Sequence, residues 1–124
     1  LSPHRPIIVV DDDSSMRTSI KRLLREHGFT VLLFDSAHAL LDHGEHDNAA
    51  CIIIDINLDG QSGVDLRRRL AEEGVTAPVI YITGNDSHAN RSAAVESGCI
   101  AYLTKPFRAQ SLMEPIQRAV SGAI

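Results

Sequence analysis

Three consecutive carboxylates, Asp11-Asp12-Asp13, follow the apolar run IIVV at residues 7–10, and a fourth, Asp55, closes the run CIII at 51–54. Thr83 follows PVIYI at 78–82, and Lys105 lies just beyond CIAYL at 99–103. Two carboxylates held 4 Å apart repel by about 4 kcal/mol at an effective dielectric of 20, so a bare acidic cluster is costly. A divalent cation and the Lys105 ammonium would remove that cost. A shell of few protein carboxylates, completed by water and phosphate oxygen, suits Mg²⁺ better than Ca²⁺. An aspartate beside Mg²⁺ and a lysine can act as a nucleophile towards a phosphoryl group, forming an aspartyl phosphate. The cation and the lysine then neutralise charge on the transferring oxygens, and Thr83 is available to donate its hydroxyl to them.

A calcium site competes for the same residues. The segment DINLDGQSGVDL at 55–66 opens as D-x-[DN]-x-[DN]-G, with Asp55, Asn57 and Asp59 as ligands and Gly60 at the turn. The twelfth position, which needs a bidentate Glu, is Leu66, and the usually apolar eighth is Ser62. CIII before Asp55 also reads as a buried strand rather than the helix such a loop requires. The calcium reading fails.

The acidic residues need a scaffold that brings them together. Five apolar runs, at 7–10, 31–34, 51–54, 78–82 and 99–103, are β-branched or aromatic-rich and scarcely alternate, as expected for strands buried on both faces of a parallel sheet. Amphipathic segments separate them. Met16, Ile20, Leu23 and Leu24 share one face of a predicted helix over 15–27, and Leu112, Met113, Ile116 and Val120 share one over 109–121. Gly28, Gly74 and Gly98 stand where left-handed C-caps are expected, and Ser14, Ser36 and Asp86 where N-caps are. The pattern is a single α/β domain, (βα)5 and doubly wound. In such sheets ligands bind beyond the carboxyl ends of the strands, where Asp11, Asp12, Asp55, Thr83 and Lys105 all fall.

The bulk numbers set the outer limits. A chain of 124 residues, 44% apolar and 23% charged, is the size and composition of one globular domain. The net charge of -4 argues against direct nucleic-acid binding by this segment. No apolar run approaches the roughly 20 residues of a membrane span, and no charged-then-apolar leader opens the chain. Cys51 and Cys99 lack CxxC spacing and are expected to be reduced thiols in a cytoplasmic protein. His43 and His46, in the polar stretch DHGEHDN, are read as part of a solvated loop, and Arg67, Arg68 and Arg69 as a solvated helix face.

Taken together and in order, VVDDD, IIIDINLDGQSG, YITG and YLTKPF resemble the receiver domains of two-component response regulators, closest to the FixJ type, across residues 6–121. The resemblance implies a flavodoxin/CheY-like sheet of strand order 2-1-3-4-5, with residues 1–124 forming one receiver domain and 1–5 and 122–124 as tails or the start of a linker. It implies that Asp55 accepts phosphate from a histidine kinase. Asp12, Asp55 and the backbone carbonyl of Asn57 would bind Mg²⁺, Asp11 through water. Lys105 would contact the phosphoryl group, Thr83 and Tyr102 would form a switch pair, and the bond before Pro106 would be cis. Leu58 and Asp59 depart from the Met-Pro common after the phosphoacceptor, which should loosen that loop, add a carboxylate near the metal and make a turn of Asp59-Gly60. Asn57 and Asn85 occupy positions that tune phosphoryl lifetime in the family.

Such a domain is a signalling phosphoacceptor rather than a turnover enzyme. Its expected output is through the face of the fourth helix, fifth strand and fifth helix, by a phosphorylation-dependent homodimer or a DNA-binding effector domain beyond this segment. Three other readings use the same fold. A phosphohydrolase of the haloacid-dehalogenase kind would need an acid/base Asp at Asn57. A nucleotide or flavin binder would need a glycine-rich loop where three aspartates stand. A degenerate receiver would not need the complete acidic, hydroxyl and lysine set.

Overall fold

The structure, a computed structural model, describes residues 5–44, 46 and 48–122. In chain order its elements are β1 (Ile7–Val10), α1 (Ser14–Glu26), β2 (Val31–Phe34), α2 (Ala37–His43), β3 (Cys51–Asp55), β4 (Asn57–Leu58), β5 (Gln61–Ser62), α3 (Gly63–Glu72), β6 (Val79–Thr83), α4 (His88–Ser97), β7 (Ala101–Thr104) and α5 (Ala109–Ser121). Five strands form one parallel sheet in the order β2-β1-β3-β6-β7, the expected 2-1-3-4-5 arrangement with the short pair β4 and β5 set aside. No described helix is long and apolar enough to cross a membrane.

The three central strands are buried on both faces, which is why their sequences run apolar without alternation. Their side chains still obey the period of two. Ile8, Val10, Ile52, Ile54 and Tyr81 pack with Leu40 of α2, Leu66 and Leu70 of α3 and Ala94 of α4. Ile7, Val9, Ile53, Ile80 and Ile82 pack on the other face with Ile20 and Leu24 of α1 and Leu112, Met113 and Ile116 of α5. Each fully buried aliphatic side chain contributes about 1.5–3 kcal/mol, so this sheet is a rigid platform for whatever its carboxyl edge carries. Cys51 and Cys99 are free thiols, and burial pushes the Cys51 thiol up to about 12.

Local expectations were corrected in several places. The N-cap of α1 is Asp13 rather than Ser14: its Oδ1 accepts the amides of Ser15 (2.9 Å) and Met16 (3.4 Å). Ser36 caps α2 as expected, but Ser87 caps α4 in place of Asp86. The last strand starts at Ala101, after an Ile100 amide bond to the Val79 carbonyl. Val120 is 46% exposed, because Ala119, three residues after Ile116, takes the inward position in the last turn of α5. His46 is buried, not solvated; its Nε2 lies 3.2 Å from Oε1 of Glu73 at the C-cap of α3, while its neighbours Glu45 and Asp47 fall outside the described residues.

The segment after Asp55 is not the loose loop expected from the missing Met-Pro. Asn57 pairs with Ser62 and Leu58 with Gln61 in an antiparallel hairpin, with Asp59 and Gly60 as its two-residue turn. Gly60 has φ +72°, a left-handed value that glycine adopts without a steric penalty. Leu58 is buried, so the residue that replaces the methionine anchors the hairpin in the core. At the hairpin's exit Ser62 Oγ accepts the amides of Val64 and Asp65 and starts α3. Gly63 donates to the Ile56 carbonyl at 2.7 Å, and a Cβ on it would collide with the Asp55 carbonyl oxygen and sit 2.7 Å from Ile54 Cγ2. Gly63→Ala should therefore lower stability by about 1–3 kcal/mol in urea unfolding, the usual cost of overpacking; an unchanged midpoint would show that α3 can retreat freely from β3.

Candidate functional site

Three strand ends converge at the carboxyl edge of the sheet. β1 delivers Asp11, wholly buried, and β3 delivers Asp55, 4% exposed. β7 delivers Lys105, whose amide donates to the Thr83 carbonyl at 2.8 Å, tying it to the end of β6. The Lys105 ammonium lies 2.9 Å from Asp11 Oδ2 and 2.9 Å from Asp55 Oδ2. Asp12 sits at the rim, exposed, and one oxygen from each of Asp11, Asp12 and Asp55 falls within 4.8 Å of the others. The acidic pocket expected across the strands is thus formed, while Asp59 is exposed on the hairpin turn and is not part of that cluster. The Lys105–Pro106 bond is cis.

The remaining lone pairs are largely committed. Asp11 Oδ1 accepts the Asp13 amide (2.9 Å) and Asp55 Oδ1 accepts the Asn57 amide (2.9 Å). Arg17 donates to the Asp11 carbonyl at 2.7 Å, so α1 holds the β1 turn in place. Asp11 Oδ2 is buried with no directed hydrogen bond, its contact with Lys105 being a close ion pair of poor hydrogen-bond alignment. A buried anionic oxygen in that state, among oxygen donors only, is suited to a hard divalent cation.

Burial pushes the Asp55 carboxyl upward, and the Asp11 charge adds to this against the pull of Lys105 and the Asn57 amide. Burial alone would pull the Lys105 ammonium down, but its bonds to Asp55 and Asp11 outweigh that and carry it up. The two directions agree physically. One ammonium serves two buried carboxylates, so the lysine sees a surplus of negative charge and Asp55 a shortage of positive charge.

Thr83 is wholly buried, its hydroxyl 3.1 Å from Asn57 Oδ1 and 3.2 Å from the Asn85 carbonyl, and it accepts the Asn85 amide at 3.0 Å. Tyr102, which pairs with Tyr81 two residues before the Thr83–Thr104 pair on the last two strands, bonds elsewhere. Its hydroxyl donates to Asp86 Oδ1 (3.0 Å), and Arg91 both pairs with Asp86 (2.9 Å) and stacks over the Tyr102 ring at 4.6 Å. The sequence reading missed these roles of Asp86 and Arg91, and also Asn90, whose side chain reaches Asn57 and Asn85. All three sit in the loop and first turn of α4, where polar residues are ordinary and no motif marks them.

The geometry sets an acidic pocket and a lysine at the carboxyl edge of a doubly wound α/β sheet, and comparison with known proteins is specific. Residues 7–117 match the response regulator receiver domain family. The chain is 36% identical over 113 residues to Nodulation protein W of Bradyrhizobium diazoefficiens, covering 91% of this chain and 50% of that protein. It is 33% identical over 117 residues to the transcriptional regulatory protein FixJ of the same organism, covering 94% and 57%. A response regulator from Burkholderia pseudomallei, solved with a phosphorylated aspartic acid, a calcium ion and citrate, matches with TM-score 0.81 and 25% identity over 96% of this chain and 70% of that one. The chain belongs to the receiver domain family of two-component response regulators. It spans about half the length of the curated relatives it matches. Domains of this family take phosphoryl groups from sensor kinases and bind Mg²⁺ at an acidic pocket.

The burial of the Asp55 carboxyl gives a testable sign. A carboxyl pushed above its unfolded value of 3.8 favours the folded state when protonated, and that contribution is lost as pH rises through the folded value. Without metal, Asp55→Asn should therefore be more stable than the wild type at pH 7, with Lys105 still paired to Asp11, and the gap should narrow as pH approaches 4. Urea melts in EDTA at the two pH values measure it; a less stable variant at pH 7 would mean the Lys105 pair outweighs the burial of Asp55.

Proposed function

We propose that Asp55 is the phosphoacceptor of this receiver, taking its phosphoryl group from the phosphohistidine of a sensor histidine kinase. The observation that supports it best is the Lys105 ammonium shared at 2.9 Å by Asp55 and Asp11 at the carboxyl edge, beside Asp12. In the transfer, an Asp55 carboxylate oxygen bonds to phosphorus while the phosphorus–nitrogen bond breaks, and its electron pair returns to the imidazole. Asp12, Asp55 and the backbone carbonyl of Asn57 would hold Mg²⁺, with Asp11 acting through water. When bound, the cation supplies charge neutralisation for the phosphoryl oxygens. Lys105 gives a second positive contact, and the Thr83 hydroxyl donates a hydrogen bond once the phosphoryl group is attached.

Thr83 and Tyr102 are the switch pair in this reading. Thr83 leaves Asn57 for the phosphoryl group, and Tyr102 gives up Asp86 and turns inward. The face of α4, β7 and α5 then changes, favouring a homodimer or releasing a DNA-binding effector domain carried elsewhere in the protein. Moving such an equilibrium from 1:99 to 99:1 takes about 5.5 kcal/mol, which a few charge-assisted hydrogen bonds can supply. Residues 1–124 act as one receiver domain, with 6–121 as the fold, in a cytoplasmic regulator. The phosphorylated aspartic acid of the Burkholderia pseudomallei neighbour and the regulator names of the relatives support this reading. A phosphohydrolase is disfavoured, because the Asn57 amide cannot exchange the protons that turnover needs.

Incubation with acetyl phosphate and Mg²⁺ should add the mass of one phosphoryl group to the wild type and none to Asp55→Asn. Labelling of the variant at the wild-type rate would move the acceptor elsewhere. Mg²⁺ alone, at a hundredfold excess over its dissociation constant, should stabilise the wild type by about 2.7 kcal/mol and Asp12→Asn by far less; equal shifts in thermal melts would remove Asp12 from the ligand set.

A further inference from the structure

Asn90, in the first turn of α4, joins two parts of the site that no backbone connection links. Its Nδ2 donates to the Asn85 carbonyl at 2.7 Å and to Asn57 Oδ1 at 3.1 Å, so both amide hydrogens are used. The direction of both Asn90 bonds is determined. A backbone carbonyl can only accept, so the Asn90 atom facing Asn85 must be the nitrogen. The Asn57 atom facing that nitrogen must then be its oxygen, and the same oxygen, at 3.1 Å, shares the single Thr83 hydroxyl proton with the Asn85 carbonyl at 3.2 Å. Asn57 itself is fixed to the acceptor by its amide bond to Asp55 Oδ1 at 2.9 Å. Its side chain is otherwise exposed, and among the described residues only Asn90 and the shared Thr83 hydroxyl reach its oxygen.

Phosphorylation removes one of those two holds. The Thr83 hydroxyl carries a single proton, and a phosphoryl oxygen is a stronger acceptor than an amide carbonyl. Once Thr83 has turned to it, Asn90 alone keeps the Asn57 carbonyl directed towards α4. A released Asn57 carbonyl would stand two residues from the aspartyl phosphate as a free acceptor for a water hydrogen. That water could attack phosphorus while the phosphorus–oxygen bond to Asp55 breaks, yielding the Asp55 carboxylate, inorganic phosphate and a proton lost to solvent.

We propose that Asn90 is a positioning residue that lengthens the life of the phosphorylated state by holding the Asn57 side chain away from the attacking water. The inference rests on Asp55 being the phosphoacceptor, and it places a determinant of signal duration on α4, the helix that also carries Arg91 over Tyr102.

The test is a double-mutant cycle on the protein phosphorylated with acetyl phosphate and Mg²⁺ and freed of reagent, following phosphoryl loss by intact mass. Asn90→Ala should speed loss about three- to tenfold, the range covered by one net hydrogen bond, and leave the rate of phosphoryl gain unchanged. In an Asn57→Ala background the same substitution should have no effect. A purely structural role for Asn90 would survive removal of Asn57 and would alter gain and loss together. Asn90→Leu, which keeps the side-chain volume without a donor, should behave as Asn90→Ala and guards against a folding defect of either variant. Unchanged or slower loss in both Asn90 variants, or a full effect without Asn57, overturns the proposal. Failure of the wild type to gain a phosphoryl group would instead overturn the assignment of Asp55.

Discussion

One lysine ammonium among three carboxylates governs this molecule. Asp11 and Asp55 share Lys105 at 2.9 Å each, and Asp12 adds a third carboxylate at the rim. With all four groups charged, three negative charges against one positive leave an excess of two, the charge of a divalent cation. The fold accepts this instability because the surrounding sheet is over-determined: β1, β3 and β6 are buried on both faces and packed by helices on each side. Repulsion at the edge is therefore held as a demand for positive charge rather than relieved by movement of the strands. That demand is what a phosphoacceptor site of this family satisfies with Mg²⁺.

The hydrogen-bond systems around the pocket are arranged in tiers. Nearest Asp55, backbone amides of Asp13 and Asn57 fix one oxygen each of Asp11 and Asp55, leaving the other oxygen of each directed to the Lys105 ammonium. One step out, Asn57, Thr83, Asn85 and Asn90 form a neutral network whose bonds are of ordinary strength. Farther out, Asp86, Arg91 and Tyr102 form a charged and stacked group at the surface. Asn90 and Arg91 are consecutive on α4, so the first turn of that helix touches both outer tiers. Thr83 and Tyr102 are thus linked through that turn as well as through the last two strands of the sheet.

The hairpin after Asp55 shows how the same fold tolerates an altered sequence. Without the common proline, Asp59-Gly60 turns the chain, Leu58 buries itself in the core and Ser62 caps α3. The close approach of Gly63 to the Asp55 carbonyl then replaces proline stiffness with packing stiffness. Asp59 is exposed, so the acidic pocket keeps the three-carboxylate composition of Asp11, Asp12 and Asp55.

The sequence alone determined the parallel sheet, because a strand buried on both faces has no polar positions to alternate with, and IIVV, CIII and PVIYI show that directly. It also determined which residues meet, since the carboxyl ends of parallel strands share one edge and Asp11, Asp55, Thr83 and Lys105 stand at those ends. What it did not carry was the environment of single polar side chains. His46 looked solvated within a polar stretch and is buried against Glu73; Asp86 looked like a helix cap and instead holds Tyr102; Asn90 had no pattern at all. These outcomes depend on residues 16 to 33 positions away in the chain, and no local periodicity encodes such pairings. Burial of apolar surface is repeated along a strand and so is visible in sequence, whereas a hydrogen bond depends on one atom's position and is decided only when the chain has folded.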